Sequence, residues 1–331
     1  MVLRNWQLAI TNRKCFMYKY LFGPVSSRRL GISLGVDLVP PKTCSMDCVY
    51  CEAGRTTCLT LERREYYPTN EIIGELGNFL SGGPELDYIT FSGAGEPTLH
   101  SGIGRIAEFI KGKYPDYKIC LITNGTLLGD AKLAKELAAV DLVIPSLDAA
   151  DEATFRKINR PGPLLSCSTL INSLASFRKT CKTSLWLEIF VVAGLNDSPE
   201  SIEAIRKAVV RIKPDKVQLN SLDRPGAEKW VGKASEKELL PFVKALEPHV
   251  KVEIIGKPSV PEQEGKSKTI SASDVERGIL DLVRRRPCTL AEISSALALG
   301  KGRILPVIDA MAGAGRIKVE KMDRGLFYKL I

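Results

Sequence analysis

Six short apolar segments recur along the chain: LGVDLV from Leu34, DYITFSG from Asp87, KICLITNG from Lys118, DLVIPSLD from Asp141, LWLEIFVVAG from Leu185 and DKVQLNSL from Asp215. Between them, residues 71–80, 103–111, 131–138, 164–177 and 202–212 carry apolar side chains at helical spacing. This alternation is the strongest constraint on the fold. Successive strand and helix units predict an α/β protein with a parallel sheet, its helices on the outer side through right-handed crossovers. If the sheet curls into a partial (β/α)6 barrel of the TIM type, the C-terminal strand ends converge on one mouth, where functional side chains are expected.

The pattern breaks after Gly256 into GKPSVPEQEGKSKT, a stretch rich in proline, glycine and charge that reads as a linker. The organisation expected is a basic arm over residues 1–30, a barrel over 31–256, a linker over 257–269 and a second unit over 270–331. In that unit SDVERGILDLVRRR reads as a first helix. Thr289 and Glu292 have capping-box spacing at the start of TLAEISSALAL. RILPVIDAMAGAG supplies a third helix, in which Pro306 is tolerable if the helix begins near Gly302, since first-turn N–H groups lack internal acceptors. RIKVEKMDRGLFYKL then reads as a hairpin around Asp323, Arg324 and Gly325. Three helices and a hairpin resemble a winged helix-turn-helix domain. Its eleven Lys/Arg against seven Asp/Glu leave nucleic-acid contact and protein docking equally open.

The net charge of +9 is uneven: up to Arg29 the chain carries Arg4, Arg13, Lys14, Lys19, Arg28 and Arg29 with no acidic residue. This is either a nucleic-acid-binding arm, or a solvated tail or a few residues that pair with carboxylates. The apolar run SLWLEIFVVAGL is interrupted by Glu188 and is too short to span a bilayer, so no membrane partner is expected. No secretory signal is evident at the N-terminus, and the nine cysteines are expected in a reducing cytoplasm, as metal ligands or buried thiols rather than disulfides.

Three of those cysteines, Cys44, Cys48 and Cys51, fall within eight residues, in PPKTCSMDCVYCEAG. A structural zinc site needs four ligands, yet the only histidines are His100 and His249, and Cys58 lies outside familiar zinc spacing. Thiolates also suit iron–sulfur clusters, and a cubane held by three of them keeps one iron open for a substrate or cofactor.

The C-x3-C-x2-C spacing, with Tyr50 before the third cysteine, resembles the radical S-adenosylmethionine (SAM) superfamily. The resemblance implies a [4Fe–4S] cluster on Cys44, Cys48 and Cys51, whose open iron chelates SAM. An electron from the cluster then cleaves the sulfonium, and the 5′-deoxyadenosyl radical takes a hydrogen from substrate. Three further segments fit. FSGAGEPT resembles the family's G-G-E-P segment, with Ala94 in place of one glycine, and implies that Gly93, Gly95 and Glu96 face the methionine amine. ITNG, with Asn124, resembles the strand-end T-N-G; PSLDAAD implies that Ser146 and Asp148 contact the SAM carboxylate and ribose. VVAGLND resembles the segment beside adenine, with Val192 and Gly194.

The resemblance covers residues 20 to 225, and the stretch from FGPVSSRRLG to the cysteines looks like the branch loosely grouped with wyosine-base synthases. It implies a radical SAM enzyme, an oxidoreductase or transferase, served by a one-electron donor of flavodoxin or ferredoxin type. An RNA or tRNA base is the first expectation for its substrate and a peptide or protein side chain the second. A regulator binding nucleic acid through an iron–sulfur cluster without turnover is the third reading. Arg224, in LNSLDRPGAEKW, is the expected substrate contact.

Overall fold

A computed structural model describes residues 18–256, 271–297 and 299–331. The chain runs β1 (Leu21–Ser27), β2 (Gly31–Val36), the short pair β3 (Thr43–Cys44) and β4 (Cys58–Leu59), α1 (Thr69–Leu80), β5 (Tyr88–Phe91), α2 (Ile103–Lys113), β6 (Lys118–Thr123), α3 (Ala131–Glu136) and β7 (Leu142–Pro145). It continues through α4 (Glu152–Asn159), α5 (Cys167–Thr180), β8 (Ser184–Phe190), α6 (Pro199–Ile212), β9 (Lys216–Asn220), α7 (Glu236–Leu246) and β10 (Val252–Ile254).

The main sheet has the order β1-β2-β5-β6-β7-β8-β9-β10. All six expected strands are present and run parallel to one another. Two edge strands extend the expectation: β10 adds a parallel strand beside β9, and β1 pairs antiparallel with β2. The central strands are covered on both faces, so they are nearly continuous apolar runs; every residue of β7 is buried. Helix starts are set locally, with Asp151, Ser166 and Ser198 each accepting a hydrogen bond from a first-turn N–H. One core joins helices and sheet, including Leu34, Ile72, Ile106, Leu121, Val143, Phe177, Leu187 and Phe242.

After residues 257–270, which include the whole expected linker and lie outside the described part, the chain forms α8 (Ala272–Arg285), β11 (Cys288–Thr289), α9 (Leu290–Leu297), α10 (Lys301–Gly313), β12 (Ile317–Met322) and β13 (Gly325–Leu330). A three-stranded antiparallel sheet, β11-β13-β12, closes this unit around its own core of Val275, Ile279, Ile293, Ile304, Ile308 and Tyr328. Met322 pairs with Gly325 across a two-residue turn, where Gly325 takes φ +119°, a conformation that favours glycine. The capping box forms: Glu292 N–H donates to Thr289 Oγ1 (3.3 Å) and Thr289 N–H to Glu292 Oε2 (2.9 Å). The expectation for Pro306 needs correction. Because α10 begins at Lys301, the proline lies beyond the first turn, where it has no N–H for the i→i−4 bond to Gly302 O. No helix of the described residues is long and apolar enough to cross a membrane.

Candidate active site

The three clustered cysteines sit in the loop that follows β2, and other loops pin that loop on several sides. Lys42 N–H donates to Ala94 O (2.5 Å) and Glu96 N–H to Thr43 O (2.9 Å), tying it to the turn after β5. Asp47 and Val49 N–H donate to Asn159 O (3.0 Å) and Ile158 O (2.9 Å), tying it to the end of α4. Glu228 N–H donates to Val49 O (3.0 Å), while its carboxylate bridges Arg160 (2.6 Å) and Arg55 (2.5 Å). Gly95 is required by the approach of Thr43 to this turn: a Cβ there would meet Thr43 O at 2.6 Å.

Both sulfurs nearest the strand ends receive amide donors, from Asn124 Nδ2 to Cys44 Sγ (3.4 Å) and from Asn159 Nδ2 to Cys48 Sγ (3.4 Å). Such donors stabilise thiolate. Without a cation the loop is hostile to it: burial pushes the Cys44 thiol up to about 12 and raises Cys48 and Cys51 as well. Among the described residues no three of His, Cys, Asp or Glu converge on a single ion. A cubane, which takes one thiolate per iron over a wider spread, fits this donor set better than a tetrahedral ion does. Cys58 pairs with Thr43 through its backbone but is exposed. Asn159 Oδ1 is buried with no donor in the protein, an unfilled acceptor beside the same loop.

The motif residues around this loop divide into two groups. Tyr50, Cys51 and Gly93 line a cavity of about 340 Å³. Tyr50 stacks on Phe190 (centroids 3.8 Å apart, planes within 6°) and donates to Asp148 Oδ2 (2.6 Å). Glu96 and Asp148 have both carboxylate oxygens engaged by the protein. Glu96 accepts from Thr98 N (3.0 Å), Thr98 Oγ1 (2.6 Å), Thr123 Oγ1 (2.7 Å) and Asn124 N (2.8 Å). Asp148 accepts from Tyr50, from Asn159 Nδ2 (2.6 Å) and from Phe190 N (2.8 Å); its burial raises its pKa to about 6. Both carboxylates thereby fix the strand ends. Ser146 bridges to Glu188 through its backbone, Val192 N–H donates to Asn196 Oδ1 (2.8 Å), and Gly194, at φ +80°, belongs to the exposed turn closed by Asp197.

The remaining wall of the cavity comes from residues that the motifs did not mark. Leu282, Arg285, Arg286, Cys288, Glu292, Ser295 and Ala296 of the C-terminal unit face Arg28, Arg29, Glu52, Glu188 and Asn220. Arg224, expected at the substrate, is 3% exposed and holds this roof in place. Its two terminal nitrogens reach Glu292 (2.6 and 2.7 Å) and Pro287 O (3.1 Å), and its Nε lies 3.3 Å from Glu52 without hydrogen-bond alignment. Two further pairs join roof to barrel: Arg285 Nε to Asp37 Oδ2 (2.6 Å), and Arg324, from the hairpin turn, to Asp223. Burial pushes Glu292 up, but Arg224 and the Thr289 N–H outweigh it and hold the carboxyl well below its ordinary value. Arg28 and Arg29 of the expected basic arm are paired, Arg29 with Glu188 and Arg28 with Asn220 (3.3 Å), Glu52 (3.9 Å) and Asp223 (3.8 Å); the first 17 residues lie outside the described part. The one sequence signal for this network was Glu188, a carboxylate inside an apolar strand.

Residues 38–209 match the Radical SAM superfamily model. Among curated proteins the chain is similar to one named GTPase Obg from Brachyspira hyodysenteriae, 35% identical over 94% of this chain and 45% of that protein, so it spans less than half of that relative. It is also similar to a UPF0026 protein from Methanocaldococcus jannaschii, 32% identical over 93% of this chain and 94% of the relative. A radical SAM methyltransferase from Sphaerobacter thermophilus shares the fold at TM-score 0.54 and 19% identity, over 67% of this chain and 65% of that one. From the superfamily match over more than half of the sequence and the near full-length relative, the chain belongs to the radical SAM superfamily and its UPF0026 family, with a [4Fe–4S] cluster and SAM as cofactors.

Proposed function

We propose that this protein cleaves SAM reductively and uses the product to take a hydrogen atom from a substrate held between the barrel mouth and the C-terminal unit. The observation that carries this reading is the placement of Cys51 and Tyr50 on the wall of a cavity roofed by residues 282–296. Cys44, Cys48 and Cys51 hold the cluster, which supplies the electron when a flavodoxin or ferredoxin type donor reduces it. Tyr50 and Phe190 form a stacked aromatic floor, and Asp148 and Glu96 fix the strand ends around it.

The eight-stranded arrangement supports a partial barrel, and the order helix, strand, two helices, hairpin supports a winged helix in residues 271–331. We read that winged helix as a roof. Its hairpin turn is anchored through Arg324 to Asp223, and the exposed residues of α10 include one cation, Lys301, beside Gly302, Leu305, Pro306, Asp309, Ala310 and Gly313, which is no basic face. Both features argue against a nucleic-acid-reading role for this unit. The wyosine-like branch and an RNA base keep only the sequence resemblance. If the substrate is an RNA or a peptide, it enters as one base or one side chain, because about 340 Å³ is near the lower limit of small-molecule sites.

Anaerobically reconstituted protein should carry about four irons per site and form 5′-deoxyadenosine from SAM under a strong reductant. Single Cys44→Ala, Cys48→Ala and Cys51→Ala variants should lose both. A protein with an intact cluster that neither binds nor cleaves SAM would sink the proposal.

A further inference from the structure

The charged residues around the chamber are matched with one exception. Arg28, Arg29, Arg224, Arg285 and Arg324 all make ion pairs, to Glu52, Glu188, Asp223, Glu292 and Asp37. Arg286 also lines the cavity, yet among the described residues its guanidinium has neither an ion pair nor a hydrogen bond. The carboxylate that feels its charge, Glu292, is already bound by Arg224, Arg324 and Thr289.

The backbone that carries this free side chain is firmly held. Arg286 N–H donates to Leu282 O (3.3 Å) at the end of α8, and its carbonyl accepts from Cys288 Sγ (3.4 Å). Pro287 O accepts from Arg224, and Cys288 pairs with Tyr328 in the small sheet. A planar fork of donors is thus presented from a fixed point on the roof, opposite the wall that carries Tyr50, Cys51, Gly93 and Phe190. A guanidinium in that setting matches the two oxygens of a carboxylate or phosphate, and it forms its strongest hydrogen bonds with such an anion.

We propose that Arg286 binds an anionic group of the substrate, a phosphate or a carboxylate, inside this chamber. The proposal rests on the reading of the cavity as the reaction site. Two observations favour the substrate over SAM as the source of the anion. Arg286 lies outside the segment that matches the superfamily, residues 38–209, and it reaches the cavity from the C-terminal unit rather than from a barrel strand end.

The test uses the full-length protein with two probes, radiolabelled inorganic phosphate and radiolabelled acetate, in equilibrium dialysis without reductant. Wild type should bind at least one probe at a single saturable site, and the tighter one identifies the anion. Arg286→Gln should weaken that binding by about tenfold or more, through loss of a charge-assisted bidentate contact. Arg284→Gln, at an exposed neighbour, should leave binding unchanged, and SAM affinity measured separately should be the same in Arg286→Gln as in wild type. An unchanged thermal midpoint shows that Arg286→Gln is folded; if it is unfolded, Arg286→Lys takes its place, with the same direction expected from loss of the planar fork. The proposal is overturned if neither anion binds saturably, if the substitution leaves anion binding intact, or if it lowers SAM affinity, which would assign Arg286 to the carboxylate of SAM. Because these readouts need no turnover, they are independent of the 5′-deoxyadenosine assay: either proposal fails without the other.

Discussion

Replacing Arg224 by methionine keeps a long side chain beside Phe327 but removes the guanidinium that joins the two halves of the chamber. In the native protein it makes a two-pronged contact with Glu292 and holds Pro287 O, at 3% exposure. Removing one partner of a buried pair costs about 3–5 kcal/mol, because the other charge stays behind in a poor solvent. Glu292 retains Arg324 (2.9 Å) and Thr289, so the lower end applies, about 3 kcal/mol or a factor of about 150 in the docking equilibrium. Hydrogen exchange of the full-length protein should show this as faster exchange across Leu290–Leu297, with Lys118–Thr123 in the barrel unchanged. Pairing the substitution with Glu292→Gln should cost less than the sum of the two single changes, since the two residues share one contact. Exchange in α9 that stays at the wild-type rate, or that rises equally in β6, would refute the argument that Arg224 is the clamp.

Glu292 also gives the docking a pH dependence. Its carboxyl is held below the ordinary 4.5, so its contribution is fully present above that value and is lost as pH falls below it; the thermal midpoint of wild type should drop more steeply below pH 4.5 than that of Glu292→Gln. Glu96→Ala strands the buried donors of Thr98, Thr123 and Asn124, so it should destabilise the protein before SAM is added, by about 2–3 kcal/mol. An unchanged midpoint accompanied by weaker SAM binding would make Glu96 a direct contact rather than a structural one.

The barrel was legible because its strands are buried on both faces and its helices on one, so burial writes both periods into the sequence. The three cysteines were legible through spacing alone. The edge strands β1 and β10 were not, since few of their residues are buried: one of seven in β1 and none in β10. Arg224 stood out in the sequence as a charged residue just after a strand, but its partner lies 68 residues further along the chain, a distance no local pattern encodes. Glu292 was hidden by its own local role: the capping box accounted for it completely, while the same carboxylate also anchors the roof to the barrel.

The chamber is assembled from segments made at very different times. Cys44 to Cys51 leave the ribosome early, whereas the roof residues from Leu282 onward follow more than 200 positions later. Domains fold largely in the order in which they are synthesised. A nascent barrel therefore presents its thiols through an uncovered mouth, and this interval gives iron and sulfide their freest path to the loop. Once Arg224, Asp223 and Asp37 have captured their partners, a cluster lost to oxidation has to be rebuilt with the C-terminal unit already in place over the mouth. Repair of the mature protein should accordingly be slower than first loading, and the rate of roof opening sets the difference.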